Sequence, residues 1–353
     1  MLEVKNLSKR LDTFAMRDVS FNIGQGEYFV LLGVSGVGKT VLLEIIAGVM
    51  RPDRGTIALD GRDITFRKAQ NRSIGLVYQD QALFPHLSVR QNIAYGLRCR
   101  KASRSEVREK VTNFAERVGA QDILDRNVES LSGGEAQRVA LARTMVTEPR
   151  CLLLDEPIAS LDAQSRGEVR SLLRDLNRRG QTILHVTHDY EEAVSLASRI
   201  AIMEGGTIAQ TGSPEDIFHH PNSEFVANFV GIKNFFRGTL EPPAPGGQLS
   251  RFADPSGLRL WVLTDQAPGT GCLLFRSQDL AIANERPQTS AKNIFEGQII
   301  DIIPAKLGVE VTVQIGVKVS ALLTRSSINS LRLEIGKTVW VHFKASAGRF
   351  LRV

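Results

Sequence analysis

Two kinds of hydrophobic spacing divide this chain. Up to about residue 232, short apolar runs alternate with helical spacings. Tyr28–Leu32 and Cys151–Leu154 are unbroken apolar runs of strand length, as expected of strands buried on both faces. Thr182–Thr187 ends a similar run. Between them, Val107, Val111, Phe114, Ala115 and Val118 fall at i, i+4, i+7, i+8 and i+11, one face of a helix. They lie in a helical subdomain expected over about 92–147. Val169, Leu172, Leu173 and Leu176 repeat that spacing before Gly180 closes the helix. Strands alternating with helices in this way predict an α/β sheet.

After residue 232 the period changes. Glu241–Gln248 is rich in Pro and Gly, and Val309, Val311, Val313 and Ile315 alternate with Glu310, Thr312 and Gln314, the period of a half-buried strand. This part also repeats itself. Asn234-Phe-Phe-Arg-Gly238 matches Asn293-Ile-Phe-Glu-Gly297, 59 residues on, and Phe275-Arg-Ser resembles Phe343-Lys-Ala. Two copies of a small β-barrel lobe follow, the second over about 290–353. The expectation is an α/β domain over 1–232 and an all-β, OB-like domain with a duplicated lobe over 233–353, a size that suits 353 residues.

Composition narrows the setting. No run approaches the ~18 apolar residues of a membrane helix, and MLEVKNLSKR lacks the apolar core of a signal peptide. Three cysteines, Cys99, Cys151 and Cys272, are too few and scattered for a disulfide framework. These features predict a soluble chain from a reducing compartment. The net charge of +6 is uneven: residues 1–232 hold 29 basic and 29 acidic side chains, residues 233–353 hold 15 and 9. No block of like charge suggests nucleic acid as a partner. The basic third suits a small anion or a membrane surface, or is a solvated face with no ligand.

The chemistry-bearing residues sit at strand ends. Gly33-Val-Ser-Gly-Val-Gly38-Lys39-Thr40 fits GxxxxGK[ST], with an apolar strand before it and a helical pattern from Val41 after it. Glycines let backbone amides converge on phosphate oxygens, aided by the helix N-terminus. The expected nucleotide-binding set is Gly33, Ser35, Gly36, Gly38, Lys39, Thr40 and Val41. Lys39 reaches the β- and γ-phosphates and Thr40 ligates Mg²⁺. The strand Cys151–Leu154 ends in Asp155 and Glu156, read as the Mg²⁺ carboxylate and the group that orients and deprotonates water. Leu131-Ser132-Gly133-Gly134-Glu135 contains a capping box, and its glycines bare the amides of a helix N-terminus.

That last motif resembles the LSGGQ signature of the ATP-binding cassette (ABC) family, with Glu135 where Gln is commoner. The resemblance covers about 230 residues and implies a P-loop NTPase fold. It places Gln79 as the glutamine that senses Mg²⁺ and the membrane partner, Asp162 in the loop Ala159–Asp162, and His188 as the residue on the γ-phosphate. His185, His219 and His220 read as structural. The family stacks an aromatic residue on adenine near residues 11–14; Leu11 occupies the usual slot, leaving Phe14. In family geometry the signature Ser132, Gly133 and Gly134 serves the phosphate loop of another copy. The resemblance therefore implies a homodimer, or a pair with a related subunit, closing on two ATP.

Cassette first and β-rich repeat last resembles the ATPase subunits of importers. Leu83-Phe-Pro-His86 matches the surface that receives a permease. The resemblance implies separate permease and external binding-protein chains, with this chain on the cytoplasmic face of the membrane. Ser290–Asn293, Leu323–Ser327 and Phe343–Ser346 are similar to the Mop-type lobes of molybdate and tungstate importers. The oxyanion residues this implies are Ser290, Asn293, Ser327, Lys344 and Ser346. Sulfate, phosphate, iron(III), polyamine and sugar importers share the layout. A soluble non-transport ABC ATPase, and a C-terminal part that only dimerises, are the other readings.

Overall fold

The computed structural model describes residues 1–11, 14–243, 246–305 and 307–352. They form two compact units, Met1–His220 and Pro221–Val353. The break precedes residue 232, because the short helix Glu224–Phe229 groups with the strand-rich part.

In chain order the first unit runs β1 (Leu2–Leu11), β2 (Phe14–Ile23), β3 (Tyr28–Leu32), α1 (Lys39–Ala47), β4 (Arg54–Leu59), β5 (Arg62–Asp63) and β6 (Ile74–Val77). Three helices follow, α2 (Val89–Cys99), α3 (Arg104–Arg117) and α4 (Gly133–Met145), in the expected helical region. Then come β7 (Cys151–Asp155), α5 (Ala163–Arg178), β8 (Thr182–Thr187), α6 (Tyr190–Leu196), β9 (Arg199–Glu204), β10 (Thr207–Gly212) and α7 (Pro214–His219). The central sheet has the order β10-β9-β3-β8-β7-β6, parallel from β9 to β6. A smaller antiparallel sheet has the order β2-β1-β4-β5.

Every residue of β3, β7 and β8 is buried, which is why β3 and β7 up to Leu154 are apolar without alternation, while β8 buries Thr182, His185 and Thr187 among its apolar residues. The core packs Leu2, Leu7, Met16 and Ile23 of the small sheet and Leu42, Leu43, Ile45 and Ile46 of α1 with Phe29 and Leu31 of β3, Leu153 and Leu184. Each such side chain contributes ~1.5–3 kcal/mol when fully buried. Side-chain caps start the helices: Ser88, Ser103, Ser132, Asp162, Asp189 and Ser213 each accept a backbone N–H of the first turn. The exception is α1, whose N-cap Gly38 has φ 96° and no side chain, so no side-chain cap satisfies its first amides.

The second unit comprises α8 (Glu224–Phe229), β11 (Asn234–Glu241), β12 (Leu249–Ala253), β13 (Arg259–Leu263), β14 (Gly269–Phe275), β15 (Ala281–Ala283), β16 (Asn293–Ala305), β17 (Gly308–Gln314), β18 (Lys318–Leu323), α9 (Arg325–Leu331), β19 (Thr338–Phe343) and β20 (Arg349–Arg352). Its two antiparallel sheets have the orders β13-β12-β11-β14-β20 and β15-β19-β16-β17-β18. The sequence repeat is a structural repeat. Asn234 pairs with Phe275 in one sheet, and Asn293 pairs with Phe343 in the other. The Phe275 and Phe343 rings stack with centroids 4.6 Å apart in a core shared by both sheets.

The lobes do not close separately, as a second lobe over 290–353 would. The last strand, β20, completes the first sheet beside β14, and β15 completes the second beside β19. The repeated asparagines lock this exchange. Asn234 donates from Nδ2 to Ser320 O (2.8 Å) and accepts from Ser320 N (2.7 Å). Asn293 does the same with Trp261 O (2.9 Å) and Trp261 N (2.7 Å). Both carboxamides are buried, and each satisfies a backbone N–H and C=O of the opposite sheet. Replacing either asparagine by alanine orphans such a pair. Each variant is expected to lose ~1–3 kcal/mol per group left unsatisfied, read by calorimetry of the full chain as a lowered transition of the second unit.

Candidate functional site

The candidate site lies at the C-terminal ends of β3, β8, β7 and β6, where parallel sheets gather ligands. Register brings the groups together. Leu32 pairs with Thr187 and Asp155 with Val186, so the turn after β3, the end of β8 and the Asp155-Glu156 corner emerge side by side. The Glu156 N–H donates to Val186 O at 2.9 Å, extending the β7–β8 ladder by one residue. Glu156 itself has φ 46°, a left-handed conformation costly to a side-chain-bearing residue and recurrent at active sites.

Lys39 is buried in the first turn of α1, and its Nζ donates to Gly33 O (2.8 Å) and Val34 O (3.1 Å). Burial lowers the pKa of its ammonium, and the nearby Glu156 and Asp155 carboxylates oppose that shift. Thr40 Oγ1 donates to Asp155 Oδ1 at 3.3 Å. Burial raises the pKa of Asp155, the Thr40 hydrogen bond opposes this, and the Glu156 charge adds to it. A desolvated carboxylate beside a hydroxyl suits a hard cation that brings its own oxygen ligands. Gln79 is exposed, and with Asp155, Tyr78 and Ser160 it lines an open cleft of about 560 Å³.

Glu156 is held by two neighbours. Oε1 lies 2.8 Å from His188 Nδ1, and Oε2 accepts from Thr187 Oγ1 at 3.2 Å. His188 is exposed whereas Thr187 is fully buried. Behind them lie Glu192, with Oε2 3.0 Å from Thr187 Oγ1, and His185, whose Nδ1 meets the Tyr28 hydroxyl at 3.0 Å. His185 is buried as expected, and burial drives its pKa down to about 3. The imidazole is therefore neutral, and its 3.6 Å approach to Glu192 is not an ion pair. Thr187 and Glu192 escaped the sequence reading. The signal was their spacing: Thr187 directly precedes His188, and Glu192 lies four residues beyond it.

The signature residues stand apart from this group. Ser132 caps α4 by accepting from Glu135 N, and Glu135 Oε2 accepts from Ser132 N at 2.7 Å, a closed capping box. That bond, together with Arg126, holds the Glu135 carboxyl below its usual range. Asp162 caps α5, accepting from the N–H groups of Gln164 and Ser165, each at 3.0 Å. The two helix starts touch at Gly134, where a Cβ would lie 2.6 Å from Ser165 Oγ. From the far end of α4, Arg143 donates to Ala82 O (2.7 Å) and Gln81 O (3.0 Å) and stacks on Phe84. The signature helix thus grips the loop that follows Gln79, a contact between distant motifs that sequence spacing did not reveal.

Phe14 and Leu11 both line an open cleft of about 950 Å³ together with Ser35, Gly36 and Val37. The Phe14 ring lies against Gly38, where a Cβ would fall 2.2 Å from its Cζ. Neither this cleft nor the one at Gln79 includes Ser132, Gly133 or Gly134. The Val41 side chain packs against the core, so only its backbone can serve a ligand. In the second unit, Ser290, Lys344 and Ser346 are exposed. The Asn293–Phe343 pairing brings segments 290–293 and 344–346 out of the sheet together. Asn293 is placed differently from those three: its carboxamide is buried, donating to Trp261 O and accepting from Trp261 N. Ser327 lies on α9, 2.9 Å from Thr324 Oγ1.

Gly134→Ala tests the contact between helix starts. The added methyl forces α4 and α5 apart, an overpacking that costs ~1–3 kcal/mol. The expected result is a lowered midpoint of thermal unfolding for the first unit, partly restored by Ser165→Gly in the same chain.

The chain matches the ABC transporter family model over residues 16–159 and the TOBE domain model over 289–348. It is 42% identical over 349 residues to the molybdate/tungstate import ATP-binding protein WtpC of Pyrococcus horikoshii, covering 98% of this chain and 99% of that one. It is 37% identical to the spermidine/putrescine import ATP-binding protein PotA of Pseudomonas aeruginosa, covering 100% and 99%. Among solved structures, cbiO1 from Clostridium perfringens, part of the ABC transporter complex cbiONQ, aligns with TM-score 0.57 and 33% identity over 62% of this chain and 90% of that one. A dimeric ATP-binding cassette in a post-hydrolysis state with ADP and Pi aligns with TM-score 0.55 and 28% identity, over 61% and 99%. Among the described residues, no helix is long and apolar enough to cross a membrane. A phosphate-loop strand beside the His188 strand, with the Asp155-Glu156 strand next in the sheet, a separate signature helix and near full-length likeness to import subunits lead to one assignment: the chain belongs to the ABC transporter family, among its import ATP-binding subunits.

Proposed function

We propose that two copies of this chain close on two ATP molecules and that hydrolysis drives a separate permease importing an oxyanion, molybdate or tungstate. The observation that carries the hydrolytic part is the convergence of Lys39, Thr40, Asp155, Glu156 and His188 on neighbouring strand ends. Gly33, Ser35, Gly36, Gly38 and the first amides of α1 cradle the phosphates, and Lys39 exchanges its loop carbonyls for the β- and γ-phosphate oxygens. Phe14 supports the base from the cleft beside the phosphate loop. Thr40, Asp155 and Gln79 would hold Mg²⁺, which when bound neutralises phosphate charge. Water attacks the γ-phosphorus while Glu156 takes its proton. The bond to the β–γ bridging oxygen breaks, and ADP leaves with the electron pair. His188, hydrogen-bonded to Glu156, orients that carboxylate and meets the γ-phosphate. Ser132, Gly133 and Gly134, absent from both clefts on their own chain, cover the γ-phosphate of the partner copy, with Asp162 fixing the start of the adjoining helix.

The loop from Gln79 through Leu83–His86 faces the permease, which places the chain peripherally on the cytoplasmic side of the membrane. An external binding protein supplies the cargo to that permease. The oxyanion reading is supported by the WtpC relatives of near full length, by the TOBE match and by the excess positive charge after residue 232. Ser290, Lys344, Ser346 and Ser327 remain as the hydroxyl and ammonium donors for a regulatory anion, charge-assisted bonds being the stronger ones.

Glu156→Gln is expected to lower ATP turnover ~10²–10⁴-fold with nucleotide affinity retained, while Lys39→Ala loses affinity itself. Turnover assays paired with nucleotide titration separate the two; near-normal turnover in Glu156→Gln removes the base assignment. For the anion, calorimetric titration of the full chain should show molybdate or tungstate binding that Lys344→Ala weakens. Absence of heat with either ion leaves the ATPase and removes the sensor.

A further inference from the structure

One buried ionisable group takes no part in the mechanism above. Glu192, on α6, is only 2% exposed, and its Oε2 lies 3.0 Å from Thr187 Oγ1. The same Thr187 oxygen lies 3.2 Å from Glu156 Oε2 and accepts the Asp189 N–H at 3.0 Å. A threonine hydroxyl has one proton to donate and two lone pairs. Two ionised carboxylates would therefore compete for a single proton within a buried site. The conflict vanishes when Glu192 is protonated. Its O–H then donates to Thr187 Oγ1, the Asp189 N–H fills the second lone pair, and the Thr187 proton is directed wholly to Glu156. Every donor and acceptor of the hydroxyl is then used.

We propose that Glu192 is a positioning residue for ATP hydrolysis: as a neutral carboxylic acid it turns the Thr187 hydroxyl onto Glu156 Oε2 and so fixes the hydrolytic carboxylate against His188. This rests on Glu156 being the base that activates water. The groups facing Glu192 are His185 on β8, Tyr28 on β3, Glu156 after β7, Asp189 at the start of α6 and Arg170 on α5, with Arg174 acting on Tyr28. The two carboxylates favour a proton on Glu192, and Arg170 disfavours it. Burial, Asp189 and Glu156 raise the Glu192 pKa to about 7, against the Thr187 hydrogen bond and Arg170. His185 is neutral and supplies no counter-charge. As the pH rises past this point Glu192 ionises, the Thr187 proton is divided between two carboxylates, and Glu156 loses its fixed orientation.

The test is the pH dependence of kcat for ATP hydrolysis by the full chain. The wild type should lose turnover on the alkaline side with an apparent pKa near the value of about 7 assigned to Glu192. Glu192→Gln supplies an amide N–H to Thr187 at every pH. It should stay within about twofold of the wild type at the acidic end and lack the alkaline loss. Thr187→Val, which removes the relay, should lower kcat about tenfold with KM for ATP nearly unchanged, and Thr187→Ser should restore it. Infrared difference spectra should show a protonated-carboxyl carbonyl stretch in the wild type at the acidic end, absent from Glu192→Gln. An alkaline loss that persists in Glu192→Gln, or a missing carbonyl band, overturns the proposal. If Glu156→Gln itself still turns over, the base assignment fails, while the infrared band continues to report the Glu192 proton separately.

Discussion

The parallel pairing of β3, β8 and β7 is the constraint on which the rest depends. Three strands with no exposed residue have no freedom of register, since any slip would strand apolar side chains and break ladder bonds. With Leu32 opposite Thr187 and Asp155 opposite Val186, the phosphate loop, the acidic corner and the histidine turn must leave the sheet at one level. The site owes its alignment to a dry core several residues below it. Loops placed by such a scaffold can carry strain, and Glu156, in the left-handed region one residue beyond β7, does so.

Charge in this site is arranged around burial rather than against it. Lys39 and Asp155 are both desolvated, and each has its pKa moved toward the neutral form. A polyanion arriving with a cation reverses both penalties at once, so the same desolvation that strains the free site favours occupancy by the pair. Groups set farther back respond to the same burial, which keeps His185 uncharged and raises the Glu192 pKa to about 7. Arg72 shows another solution in the same unit. Its buried guanidinium donates to the carbonyls of Ile45, Ile46, Thr65 and Arg67, including the end of α1, where the helix dipole favours a cation.

Much of this was legible in the residues because local rules and global fold agree there. Continuous apolar runs marked the buried strands, caps such as Ser132 and Asp162 marked helix starts, and the phosphate loop sat between a strand and a helix as its chemistry requires. What stayed hidden depends on contacts far apart in the chain. Arg143 reads as one more basic residue on an amphipathic helix until the fold brings Gln81 and Ala82 to it. Asn293 reads as a polar ligand in a repeat, and only the opposite sheet reveals that its carboxamide also bonds the Trp261 backbone. Sequence repetition signalled duplication correctly, but it carried no sign of which strand completes which sheet.

That exchange of strands makes the two halves of the C-terminal unit mutually dependent. Each half lends a strand to the other, β20 to the first sheet and β15 to the second, and each half's asparagine clasps the other's backbone. In one chain this is the fused equivalent of two identical subunits that have swapped arms. Neither half completes its own sheet, so each is bound to the other by pairing that a single half could not supply. One copy could keep Lys344 where the other has Arg276, and the shared core would still hold both.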